Sequence, residues 1–143
     1  DSVASRGLGD VYKRQDLIRL ILAITYGSWF IYIGIQHFLD PDWFEPIVPK
    51  IIGYPLFWVY ISGVFEIMLG ILVIIPSSRR IASVGFIIFL VVVYWANINM
   101  WINDIEIGEN KLSHQQHVIR AIIQIILITI VAWIGKLKPL VRN

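Results

Sequence analysis

From about Leu17 onward the chain alternates long apolar runs with short polar connections. Four runs stand out: Leu17–Leu39, Tyr54–Ile75, Ile81–Ile102 and Val118–Leu137. Each reaches the roughly 20 residues that a helix needs to cross a ~30 Å hydrocarbon core. The third holds no charged residue, and its apolar side chains occupy every face, which excludes an ordinary amphipathic surface helix. Four runs rich in β-branched residues could suit buried strands, but strands of about 20 residues are not expected, and in lipid a helix satisfies its own backbone groups. The pattern predicts an all-α fold, a transmembrane four-helix bundle. Between the first two runs lies DPDWFEPIVPKIIGYP. Asp40 followed by Pro41 is a good helix start, and Trp43, Phe44, Ile47, Val48, Ile51 and Ile52 recur at about one-turn spacing, while Pro46 and Pro49 interrupt any long regular helix. These residues predict a short kinked interfacial helix between helices 1 and 2; a loop tied down by Trp43 fits them as well.

The connection Pro76–Arg80, PSSRR, is so short that the second and third spans must be antiparallel neighbours. Ala23, Gly27 and Gly34 lie near one face of the first span, and Gly63 and Gly70 on one face of the second, a spacing that lets backbones approach closely in lipid. Composition agrees: 57% of residues are hydrophobic and only 15% charged, against about a quarter charged in a soluble domain. The absence of cysteine excludes disulfides, thiolate metal sites and Fe–S clusters. SRGLGDVYKRQ, Ser5 to Gln15, resembles a translated short-read sequencing adaptor, so residues 1–15 are expected to be an artefact without structure and the natural sequence is read from Asp16. Removing Arg6, Lys13, Arg14, Asp1 and Asp10 leaves the charges nearly balanced, and nothing points to nucleic acid. Arg19, Arg79, Arg80, Lys136, Lys138 and Arg142 fall on one side of a four-span topology. Lys50, Lys111 and Arg120 fall on the other, diluted by Asp40, Asp42, Glu45, Asp104, Glu106 and Glu109. The Lys/Arg excess predicts cytoplasmic N and C termini.

Polar groups at membrane depth are the candidate chemistry. Glu66 lies about twelve residues into the second run, roughly 18 Å deep, with Ser62 one turn nearer the outer surface on the same face. Asn97 and Asn99 lie in the outer third of the third run, Arg120 and Gln124 share a face near the outer end of the fourth, and His37 closes the first at that same side. An ionisable group in a span usually turns inward and pairs. The common depth predicts an outer-facing polar pocket with Glu66 as its floor and His37, Ser62, Asn97, Arg120 and Gln124 as its ligand-binding residues. Arg120 is the cation that would attract Glu66; because ~15 Å of depth separates them, Ser62, Asn97, Gln124 or water must bridge, or the carboxyl carries its proton. The same Asn and Gln residues could instead only join helices by hydrogen bonds. His114 and His117 stand at i, i+3 in HQQH, but with no matching acidic or Cys ligand no metal is assigned. No histidine pair lies at membrane depth for haem, and there is no autonomous catalytic motif.

GIQHF followed by P-x-W-F-x-x-I-V-P, then YISGVFEIMLGILVIIP, PSSRR, WANINMW and H-x-x-R-x-x-x-Q, together resemble the DoxX-like family of small bacterial membrane proteins, over residues 16–143. The resemblance implies a four-helix bundle in a bacterial cytoplasmic membrane. It also implies links to membrane redox complexes such as thiosulfate–quinone oxidoreductases, and a role for Gly34, His37, Phe38, Pro49, Gly63, Glu66, Gly70, Pro76, Asn97, Arg120 and Gln124. Any redox chemistry would need a quinone or a partner subunit, since the chain has no cofactor motif of its own. Three functions follow: a membrane subunit or binding module for a small amphipathic molecule such as a quinone, a small proton-coupled exporter using Glu66, and a structural assembly partner without ligand. The partners implied are the lipid bilayer, membrane or redox subunits, and further copies of the chain.

Overall fold

The computed structural model describes residues 2–107 and 111–137. Lys138, Arg142 and Glu109, which enter the charge count above, lie outside the described residues. The elements are α1 (Ser2–Leu39), α2 (Pro41–Phe44), two 3₁₀ turns (Glu45–Ile47 and Lys50–Ile52), α3 (Pro55–Ile74), α4 (Arg79–Ile102) and α5 (His114–Ile134). Four helices are long and apolar enough to cross a membrane, and at most a third of the most apolar stretch of each is buried within the molecule. Outward-facing residues such as Ile81, Val92 and Ile125 are aliphatic and more than 60% exposed. A surface of that kind is stable only against lipid. The protein is an all-α four-helix bundle and a multi-pass membrane protein.

The bundle runs up-down-up-down in the ring order α1, α3, α4, α5 and back to α1. The α1–α3 seam is the tightest. Gly27 faces Gly70 and Gly34 faces Gly63, each against the other's carbonyl: a Cβ at Gly27 would stand 2.5 Å from Gly70 O, and one at Gly34 2.7 Å from Gly63 O. Glycine is required there because any side chain would hold the two backbones apart. The ring closes where α5 meets α1, with the Tyr26 hydroxyl donating to Leu127 O at 3.2 Å. One half of the bundle is an apolar core that includes Tyr26, Phe30, Leu69, Val73, Phe86, Leu90, Val131 and Ile134. Phe86 packs its ring against both Tyr26 and Phe30, at centroid distances of 5.2 and 4.7 Å. The polar residues singled out above occupy the other half.

Most boundaries fall within a residue or two of those expected, and the exceptions have local causes. The first helix was expected from about Leu17, with residues 1–15 unstructured; it runs instead from Ser2. No proline interrupts that stretch, and extending an existing helix needs no new nucleus. The last helix starts a turn early, at His114, because Ser113 and Gln116 form a capping box: Ser113 Oγ accepts from Gln116 N, and Gln116 Oε1 accepts from Ser113 N at 2.7 Å. In the first connection the helical rhythm survives as three short pieces, with Pro46 in the first turn of the second and Pro49 capping the third. The connection then turns back into α3 through Gly53 (φ 62°, ψ 173°), a backbone region essentially closed to other residues, and Tyr54 in the left-handed region. PSSRR ends α3 as well as reversing the chain. Arg79 donates to Val73 O and Ile74 O at 3.0 and 2.8 Å, and Ser78 Oγ to Leu72 O at 2.8 Å, so three orphan carbonyls are satisfied.

Candidate functional site

In the polar half of the bundle the side chains form two groups rather than one. The first lies between α1 and α3. Glu66 is 93% buried and His37 equally so, and His37 Nδ1 stands 3.3 Å from Glu66 Oε2. Both residues are placed by the glycine seam. Cα–Cβ bonds lean toward the N-terminus of their own helix, so in an antiparallel pair His37 leans inward and Glu66 outward until they meet beside Gly63. His37 Nδ1 also lies 2.9 Å from Ile33 O, one turn back on its own helix. That carbonyl fixes the proton on Nδ1, and the hydrogen bond goes to it, leaving Glu66 Oε2 buried and without a hydrogen-bonding donor among the described residues. On its other side the imidazole stacks on Phe44 of α2, centroids 3.8 Å apart and planes 19° from parallel. Asn99 donates to Ile47 O at 3.2 Å, so α4 holds the 3₁₀ turn that follows. The first connection thus lies against the pair from outside. Ser62 is half-buried and donates to Val59 O on its own helix at 2.8 Å.

The second group lies between α4 and α5. Arg120 donates through Nη2 to Asn97 Oδ1 and through Nη1 to Met100 Sδ at 3.2 Å, and it forms no ion pair among the described residues. Gln124, one turn further along α5, donates to Leu90 O at 2.7 Å. Nearer the end of the helix, Trp101 stacks on His117 at 5.5 Å and 6° and donates to His114 Nδ1 at 3.3 Å. The two imidazoles of HQQH are therefore packing partners of one indole.

Compared with known protein families, residues 26–135 match a family model described as a domain of unknown function (DUF8561). The chain belongs to the DUF8561 family. No curated protein and no solved structure matches it. The region shared with DUF8561 contains His37, Ser62, Glu66, Asn97, Arg120 and Gln124, whereas Asp16, Arg19 and Lys136 fall outside it.

Within this DUF8561 domain all six expected site residues fall in the same half of the bundle, but they do not converge. The partner of Glu66 is His37, not Arg120, and no bridge of Ser62, Asn97 and Gln124 joins the two groups: each of those side chains is engaged within its own helix or across the α4–α5 seam. Glu66 is engaged on the α1–α3 seam and Arg120 on the α4–α5 seam. Sequence reasoning missed Phe44 and Met100 as contacts of the two groups. Phe44 sits in the expected interfacial helix and carried no chemistry to mark it; Met100 lies three residues beyond Asn97, about one turn, and that spacing was the available signal.

Proposed function

We propose that this protein is a membrane subunit or binding module that holds the polar head of a small amphipathic molecule, a quinone being the fitting class, at the Glu66–His37 pair. One observation carries the reading. A carboxylate oxygen buried between two spans has no hydrogen-bond donor, while a histidine stands beside it at 3.3 Å. A buried polar atom of that sort needs a partner, and a hydroxyl or reduced-quinone head can donate to it. Pockets between bundle helices are a usual place for such ligands. The resemblance to DoxX-like proteins, some linked to quinone-dependent complexes of the bacterial cytoplasmic membrane, supports the same assignment. The Lys/Arg excess supports cytoplasmic termini and so an outer-facing site. In this reading Asn97, Arg120 and Gln124 fix the α4–α5 pair, and Ser62 lines the approach to Glu66.

The test is thermal unfolding of the purified protein in detergent with and without a short-chain ubiquinol analogue. A rise of several degrees for the native chain, absent in Glu66→Gln, is expected. No rise in the native chain overturns the assignment. The proton-coupled exporter is the second reading, favoured by the pairing of two titratable side chains inside the membrane. Efflux driven by a pH gradient in vesicles, lost in Glu66→Gln, would establish it instead.

A further inference from the structure

At the opposite end of the bundle from Glu66, the close of α5, the start of α4 and the flank of α1 surround an open cavity of about 420 Å³. Its lining holds four cations, Arg19, Arg79, Arg80 and Lys136, against one carboxylate, Asp16. Two of the cations are built in. Arg19 donates to Asp16 at 2.9 Å and to Trp133 O at 3.3 Å, with its guanidinium 4.7 Å from the Trp133 ring centre. Arg79 is held by the carbonyls that end α3. Lys136 reaches Asp16 at 3.3 Å, and Arg80 is exposed with no ion pair among the described residues. The first turn of α4 opens here with no side-chain cap, because the Ser78 hydroxyl is turned to Leu72 O. A long helix beginning uncapped adds backbone N–H groups and a positive dipole end to the same cavity. Exposed apolar side chains adjoin the lining in sequence: Leu17, next to Asp16, is 58% exposed and Ile81, next to Arg80, is 77% exposed.

We propose that this cavity binds the phosphate headgroup of an anionic phospholipid, whose acyl chains lie along Leu17 of α1 and Ile81 of α4. Cations gathered beside the ends of spans recognise such headgroups, and the apolar flanks select a lipid over a free anion. The site is distinct from the Glu66–His37 pair and independent of what that pair binds.

Native mass spectrometry of the full chain in detergent tests it, with phosphatidylglycerol and phosphatidylcholine of identical acyl chains offered together and inorganic phosphate offered separately. The native protein is expected to retain phosphatidylglycerol at least about fivefold over phosphatidylcholine. The exposed pair Arg80→Gln and Lys136→Gln, which leaves the anchored Arg19 and Arg79 in place, should remove that preference. Lys50→Gln, at the other end of the bundle, should keep it. Equal retention of the two lipids, a preference that survives the double change, an equal loss in Lys50→Gln, or displacement of the lipid by millimolar inorganic phosphate overturns the proposal.

Discussion

Arg120 spends its guanidinium on an amide oxygen and a thioether, an unusual economy for a cation inside a membrane protein. Replacing Asn97 with Leu removes the oxygen and keeps the volume, leaving a half-buried charge with only sulfur to donate to. The expected result is a loss of about 1–3 kcal/mol in an SDS or thermal unfolding titration. Asn97→Asp, which supplies a charged acceptor to Arg120, should be at least as stable as the native chain. The His37–Glu66 pair is the residue-scale feature that counting along the sequence did not reveal. His37 is two residues from the end of α1, which placed it at the membrane boundary, and Glu66 lies twelve residues into α3, which placed it deep. The helices do not end level. Phe38 stacks on Tyr60 at 5.5 Å, so α3 continues for a full turn past the end of α1 and carries His37 down to the depth of Gly63. Only tertiary register contains that information. Gly53 turns the chain back into α3, and its backbone angles should make Gly53→Ala cost about 1–3 kcal/mol in the same titration.

Between elements, the α1–α3 seam was legible because it is written in residue size. Gly27 and Gly34 are seven apart, as are Gly63 and Gly70, and that repeat keeps them on one face of each helix. A side chain at Gly34 would meet the backbone carbonyl of Gly63, which cannot yield. Gly34→Leu should therefore destabilise the bundle by about 1–3 kcal/mol or more and disturb the Glu66 environment with it. Gly85→Ala is the matched control, since a Cβ there meets first the tip of Leu69, a flexible neighbour. Circular dichroism melts of the two variants in detergent should differ by several degrees. The α4–α5 seam was harder to read: its hydrogen bonds run from side chains to a carbonyl, a sulfur and an amide, and residue type marks only the amide among these acceptors.

For the whole molecule, four apolar helices were plain from the pattern, as was the antiparallel turn at PSSRR. Which side faces the cytoplasm rests on the distribution of Lys and Arg. The lack of cysteine makes the orientation simple to measure. Ser77→Cys in the exposed PSSRR turn should resist a membrane-impermeant maleimide in intact cells, whereas Lys50→Cys in the first connection should react. The reverse labelling would invert the topology and turn the Glu66 half toward the cytoplasm.

The glycines of α1 and α3 also restrict how the bundle can move. Sliding one helix along the other by a single turn would drive Ile31 or Ile67 side chains onto a carbonyl now facing glycine. The next arrangement that again sets a glycine opposite a glycine lies a whole heptad away, about 10 Å along the axis. The pair behaves like a latch with widely spaced teeth, so His37 and Glu66 stay at a fixed height relative to each other.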